Sequence, residues 1–100
     1  MERIPVQFEW DEKKSRLNRK KHGVLFEIAA EVFSDPFCLT IPDRVVHGEE
    51  RFWTIGRLEN LLTLVVVHTT RDQQGDEVTR IISARKATPR ERRFYEEADK

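Results

Sequence analysis

Three kinds of spacing divide the chain. Val6-Gln7-Phe8-Glu9-Trp10 alternates apolar and polar positions, the mark of a short strand or extended lead-in. Asp11 is a good helix N-cap, and Glu12 follows in the first turn, where the helix dipole favours an acid. Residues 13–22 hold one hydrophobe, Leu17, and predict a surface helix anchored by Leu17, with Phe8 and Trp10 at its entrance. Lys20, Lys21 and His22 fall in its last turn and Gly23 follows, a coherent stop. In residues 24–33 the period becomes helical with an apolar stripe. Leu25, Ile28, Ala29 and Val32 fall at i, i+3, i+4 and i+7, and Phe26, Ala30 and Phe33 widen the stripe to a buried face. Asp35-Pro36 ends that helix.

From residue 37 to 86 the pattern is that of strands. Residues 37–41 form a first candidate closed by Pro42, and the polar residues 43–50 predict a mobile loop. Residues 51–57 alternate, with Gly56 a candidate bulge. Glu59-Asn60 turns into residues 61–70, apolar on both faces at the middle and therefore central. A turn at residues 72–76 leads to residues 78–84, rich in β-branched side chains. Thr88-Pro89-Arg90-Glu91 is a capping box with proline at the first helical position, predicting a helix from Pro89 to about Ala98. The short connections imply an antiparallel meander with helices against one face, an α+β fold.

One hundred residues make one domain, 1–100, without a linker or repeat. Cys38 is the lone cysteine, so there is no internal disulfide and no CxxC site. No stretch is long and apolar enough to span a bilayer, and Met1-Glu2-Arg3 begins no apolar signal region. The expectation is a soluble, cytoplasmic protein with no membrane partner.

Charge changes the picture more by arrangement than by amount. Eighteen Lys+Arg balance eighteen Asp+Glu. Residues 13–21 nevertheless carry six cations and no acid, residues 85–93 carry five cations against Glu91, and residues 27–50 are acidic apart from Arg44. If the two basic segments converge they form a surface suited to phosphates; otherwise each is a solvated helix face. Arg71, Arg80 and Arg85 lie on neighbouring strands. Strict alternation sets Arg80 with Val78, Ile82 and Ala84, and sets Arg85 with Ser83 on the other face. One such arginine would be a structural ion pair, whereas three on adjacent strands favour an anion site. His22 is a dipole ligand or a proton carrier beside Lys20 and Lys21, and His68 reads as a core histidine. Glu49-Glu50 beside Arg51 is a loop ion pair or a carboxylate base. No HExxH or Cys–His spacing suggests a metal, and no P-loop, GxGxxG or GxSxG is present, so no cofactor is expected. One of Phe52 and Trp53 must point outward from a regular strand.

Several segments resemble one family. Phe8-Glu9-Trp10-Asp11, Asn18 with Lys21-His22-Gly23-Val24, Phe26 with Ala29, and Phe33-Ser34-Asp35-Pro36 resemble the N-terminal half of BrnT proteins. Glu50-Arg51 leading to Ile55-Gly56-Arg57, the run from Arg80 to Ala87, and Glu91-Arg92 with Tyr95 resemble the C-terminal half. The resemblance implies a RelE-like fold, with two N-terminal helices and a C-terminal helix on an antiparallel meander. It also implies a type II toxin that cleaves RNA, inhibits translation and growth, and is neutralised by a BrnA-like ribbon-helix-helix antitoxin. Operator DNA would be bound only through the complex of the two. It carries His22, Glu50, Arg51, Arg80 and Arg85 as candidate motif residues.

The expected chemistry is metal-independent attack of a 2′-OH on phosphorus. Arg71, Arg80 and Arg85 would stabilise the phosphorane, and His22 or Glu50 would move the proton. Lys20, Lys21, Arg51, Lys86, Arg90 and Arg93 would contact RNA. The rival reading is a non-catalytic module whose arginines bind an acidic antitoxin segment or nucleic acid.

Overall fold

The computed structural model describes residues 7–98; Val6 and the Met1-Glu2-Arg3 start lie outside them. Strand β1 (Gln7–Glu9) leads into α1 (Glu12–His22), then α2 (Phe26–Ala29), which tightens into a 3-10 turn over Ala30–Ser34. Four longer strands follow, β2 (Leu39–Val46), β3 (Glu49–Arg57), β4 (Thr63–Gln73) and β5 (Asp76–Lys86), and α3 (Pro89–Ala98) closes the chain. Among the described residues the strands make one sheet in the order β1-β5-β4-β3-β2. The expected antiparallel meander is β2 to β5; β1 adds a parallel edge on β5, with Glu9 opposite Arg80. No described helix is long and apolar enough to cross a membrane.

The caps read from the sequence are present. Asp11 accepts the Lys14 N–H at 3.1 Å, and the Gly23 N–H closes α1 on the Arg19 carbonyl at 2.8 Å. Leu17, expected as the anchor of α1, is instead 61% exposed. Two buried polar residues hold the helix. Ser15 Oγ accepts the Phe26 N–H at 2.9 Å. The Asn18 carboxamide donates to the Ala84 carbonyl at 2.9 Å and accepts the Ala84 N–H at 3.2 Å. β1 pairs with β5 only as far as Arg80, so Asn18 supplies the donor and acceptor that a longer strand would have offered to the β5 edge.

The second predicted helix is one α-turn followed by 3-10 geometry. Three residues per turn put Phe26, Ala29 and Val32 on the buried side, and Ile28, expected inward, is 41% exposed. Pro42 does not end its strand, because β2 is the sheet edge and a proline there breaks no ladder bond to a neighbour. The expected loop over residues 43–50 is a hairpin: β2 bulges between Pro42 and Val45, and His47-Gly48 turn the chain with φ of 52° and 76°. Gly56 is no bulge. It sits in regular register with Leu64, and a Cβ there would lie 2.6 Å from Val32 Cγ1, so its role is close packing of the 3-10 turn.

Each face of the sheet has its own core. Val24, Phe26, Ala29 and Val32 pack on Leu64, Val66, Ile81 and Ala84. Ile55, Val65 and Tyr95 form the second cluster, with Ile41, Trp53 and Ala87 against it. Leu64 and Val66 therefore face one way and Val65 the other, and α3 lies opposite α2. The expectation of all helices on one face is corrected: β4 is apolar on both faces because each face receives a helix. Tyr95 fixes α3 by donating to Asp35 Oδ2 at 2.5 Å, and Arg57 pairs with Glu96 at 2.8 Å.

Candidate functional site

Register gathers the arginines. Arg51 stands opposite Thr69, Thr69 opposite Arg80, and Arg80 opposite Glu9, so four side chains form one row across β3, β4, β5 and β1. Trp53, Val67 and Ser83 make the next row, and Ile55, Val65 and Arg85 the one after it, toward α3. On the other side Arg71 lies opposite Val78. Directly opposed residues share a face, so Arg51, Arg71, Arg80 and Arg85 all lie on the α3 side of the sheet.

This corrects the parity read from the sequence. Val67 pairs with Ser83 but His68 pairs with Ile81, so Ile82 is an extra residue in β5. The bulge turns Arg80 away from Ala84 and brings it to the face of Ser83 and Arg85.

The row is polar and incompletely satisfied. Glu9 Oε1 accepts from Arg71 Nη2 and lies 3.7 Å from Arg80 Nη1. The Arg71, Arg80 and Glu9 side chains keep 42%, 36% and 29% of their surface exposed, so solvent or a ligand reaches them. Among the described residues no ion pair includes Arg51, and its buried Nε has no hydrogen-bond partner. The neighbouring Thr69 is fully buried and its Oγ1 is unpartnered too. Such groups are costly to bury unpaired, and these two lie side by side on the row that also holds Arg80.

Arg85 is held differently. Glu91 grips it with two bonds of 2.7 and 2.9 Å, and its guanidinium lies 5.7 Å from the Trp53 ring centre. Glu91 also closes the α3 capping box, accepting the Thr88 N–H at 2.9 Å while its own N–H donates to Thr88 Oγ1 at 3.1 Å. The Arg85 hydrogen bonds, reinforced by those from Thr88, pull the Glu91 carboxyl down to about 2, and Glu91 in turn raises Arg85.

The expected proton carriers lie off the row. Glu50 is exposed at the start of β3, where alternation sets it with Phe52, on the face opposite Arg51. His22 ends α1, on the helix tied to the β5 edge and to α2. His68 is a core histidine as expected, on the α2 side: Nε2 bonds Thr54 Oγ1 at 2.7 Å, and its ring meets Phe33 at 5.0 Å and Phe52 at 5.9 Å. Desolvation pushes it down to about 4. Of Phe52 and Trp53, it is Trp53 that lies on the arginine face.

Lys20 and Lys21 stand exposed on α1, Lys86 at the end of β5, and Arg90 and Arg93 on α3. The two basic segments thus sit on elements at opposite sides of the sheet, and the strand arginines build the cationic surface. Among the described residues no three His, Cys, Asp or Glu side chains are grouped to hold a metal. Glu9 was missed by sequence reasoning. Its alternation with Phe8 and Trp10 was visible, but its partner arginines depend on a parallel pairing between residues about seventy positions apart.

The α3 face of the sheet thus carries four arginines, with Glu9 among them, and is polar and cationic rather than apolar. The comparisons give this arrangement a family. The model of the ribonuclease toxin BrnT of type II toxin–antitoxin systems matches residues 10–91, so the chain belongs to the BrnT family of ribonuclease toxins. The crystal structure of the Brucella abortus ribonuclease toxin BrnT is similar to it, with a TM-score of 0.64 and 27% identity over 84% of this chain and 99% of that one. No curated protein matches the chain.

Proposed function

We propose that the chain is an endoribonuclease that holds the scissile phosphodiester on the Arg51–Thr69–Arg80–Glu9 row. The observation that carries the reading is the unpartnered Arg51 Nε beside the unpartnered Thr69 Oγ1, on the face that also holds Arg71 and Arg80. Both atoms are buried in the free chain, so a phosphate first held by the exposed guanidinium groups would meet them as the Arg51 side chain shifts.

The 2′-OH attacks the adjacent phosphorus, a P–O2′ bond forms and the P–O5′ bond breaks. The carboxylate on the row takes the 2′ proton, so proton transfer is assigned to Glu9 in place of His22 or Glu50. Water protonates the leaving 5′ oxygen. The products are a 2′,3′-cyclic phosphate and a 5′-OH. Arg51, Arg71 and Arg80 offset the charge that grows on the equatorial oxygens, the contribution that dominates such reactions. Arg85 steadies the Trp53 ring, a platform on which a flanking base can stack. Lys86, Arg90, Arg93, Lys20 and Lys21 remain proposed contacts for the RNA beyond the scissile step. The scheme uses no metal. Its biological setting would be that of the family: a RelE-like toxin that inhibits translation and is neutralised by a BrnA-like ribbon-helix-helix antitoxin.

One observation favours the binding-module reading. Arg71, Arg80 and Arg85 already face carboxylates, as an anion-binding surface at rest would. Product analysis separates the two. Purified protein with single-stranded RNA in EDTA should give fragments ending in cyclic phosphate, lost in Glu9→Gln and Arg51→Ala. RNA that is bound but uncut supports the binder, and cleavage that requires added magnesium contradicts the scheme.

A further inference from the structure

At the end of the sheet away from the row, a cleft of about 580 Å³ opens beside Tyr95. Two exposed hydrophobes flank it, Phe37 at 54% and Leu61 at 73% exposure. Both are held in place by specific turns. Asp35 Oδ1 accepts the Phe37 N–H at 2.9 Å, while its Oδ2 takes the Arg57 N–H at 2.8 Å and the Tyr95 hydroxyl. Leu61 sits at φ 70° in a tight turn closed by the Leu58 N–H on the Leu62 carbonyl and the Leu61 N–H on the Leu58 carbonyl, both 2.9 Å. A leucine is a poor choice for a left-handed backbone, where glycine or asparagine is at ease, and folding gains nothing from a side chain that points into water. Unlike His47 in its hairpin turn, Leu61 combines this backbone with a large exposed apolar side chain, which is a reason to look for a use of that side chain.

The rim of the cleft is acidic. Glu31, Asp35 and Glu59 line it against one cation, Arg57, which is paired with Glu96; among the described residues neither Glu31 nor Glu59 is in an ion pair. That charge repels RNA and selects against an acidic peptide. We infer that this cleft docks a protein partner through an apolar side chain flanked by Lys or Arg, seated between Phe37 and Leu61 with its cations on Glu31 and Glu59. The surface is separate from the arginine row, so its occupant and the RNA can be bound together. A type II toxin meets its antitoxin as a protein, and the inference rests on that reading for the identity of the partner alone.

The test is a heteronuclear NMR titration of the labelled full chain with two peptides, acetyl-Arg-Leu-Phe-Lys-amide and acetyl-Glu-Leu-Phe-Asp-amide. The cationic peptide should shift the amides around Phe37 and Leu61 saturably, and the acidic one should bind at least about tenfold more weakly. Leu61→Asn relieves the backbone, so its melting temperature should hold or rise while peptide affinity falls; Phe37→Ser should weaken binding as well. RNA cleavage in the same samples should be unchanged, which keeps failure of this inference distinct from failure of the nuclease reading. Equal binding of both peptides, no binding, retained affinity in Leu61→Asn, or displacement of the peptide by a 12-nucleotide RNA would overturn the inference. So would a dimer of the chain that disappears in Leu61→Asn, because the occupant would then be a second copy.

Discussion

The two faces of one sheet differ in how they treat polarity. On the α2 side the central polar group is enclosed: His68 is stripped of water, bonded to Thr54 through Nε2 and surrounded by aromatic rings, with only its Nδ1 left unpartnered. On the α3 side, beyond Tyr95 and Trp53, the sheet carries Arg51, Arg71, Arg80 and Glu9 with bonding capacity left over. The same strands build both, because successive residues point opposite ways. On the proposed reading the α2 face serves stability alone while the α3 face also serves binding, and substitutions should separate the two.

The largest effects test that separation directly. Phe26→Ala empties the covered core and should cost about 3–5 kcal/mol, read as a shift of the urea midpoint. Arg51→Ala should leave that midpoint nearly in place and cut RNA cleavage by about 10²–10³. A large stability loss in Arg51→Ala, or normal cleavage, would dissolve the contrast. Gly56→Ala comes next. Its Cβ meets Val32 at 2.6 Å, so overpacking should cost about 1–3 kcal/mol, with full activity in the fraction that remains folded.

How much of this could be read from the sequence follows the range of the interactions. The Asp11 cap and the Thr88–Glu91 box are contacts within one turn, and both stand where their motifs put them. Leu17 is the hydrophobe of α1 yet anchors nothing, while Ser15 and Asn18 anchor the helix through hydrogen bonds that no apolar pattern reveals. The side taken by α3 depends on which face of β4 still lacks a cover, a property of the assembled sheet. At the site, three arginines on adjacent strands were legible as candidates for one cationic surface. Their common face was not, because the extra residue at Ile82 reverses the alternation between Arg80 and Arg85. Glu9 needed the parallel β1–β5 register, which leaves no local mark.

Smaller effects sharpen the comparison. His68 is held down to about 4 against an ordinary value of 6.5. Between those values the unfolded chain binds a proton that the folded chain does not. Stability should therefore be full above pH 6.5 and fall as pH drops toward 4, read as urea midpoints from pH 7 to pH 5; His68→Phe should flatten that slope. Below about pH 4.5 the Glu91 carboxylate, held down to about 2, adds a second loss in the same direction. The smallest effect is on the open face. Thr69→Val removes a buried, unpartnered hydroxyl, so it should raise stability by about 1 kcal/mol, while RNA affinity drops.

The most direct measurement is the Nε–H resonance of Arg51 in the free protein and with RNA made uncleavable by a single 2′-deoxy substitution at the scissile position. A phosphodiester seated on the row should shift that resonance strongly and protect it from solvent exchange, and Arg80→Ala should reduce both changes. An Arg51 Nε–H that stays unchanged at saturating RNA would contradict the placement of the substrate on this face.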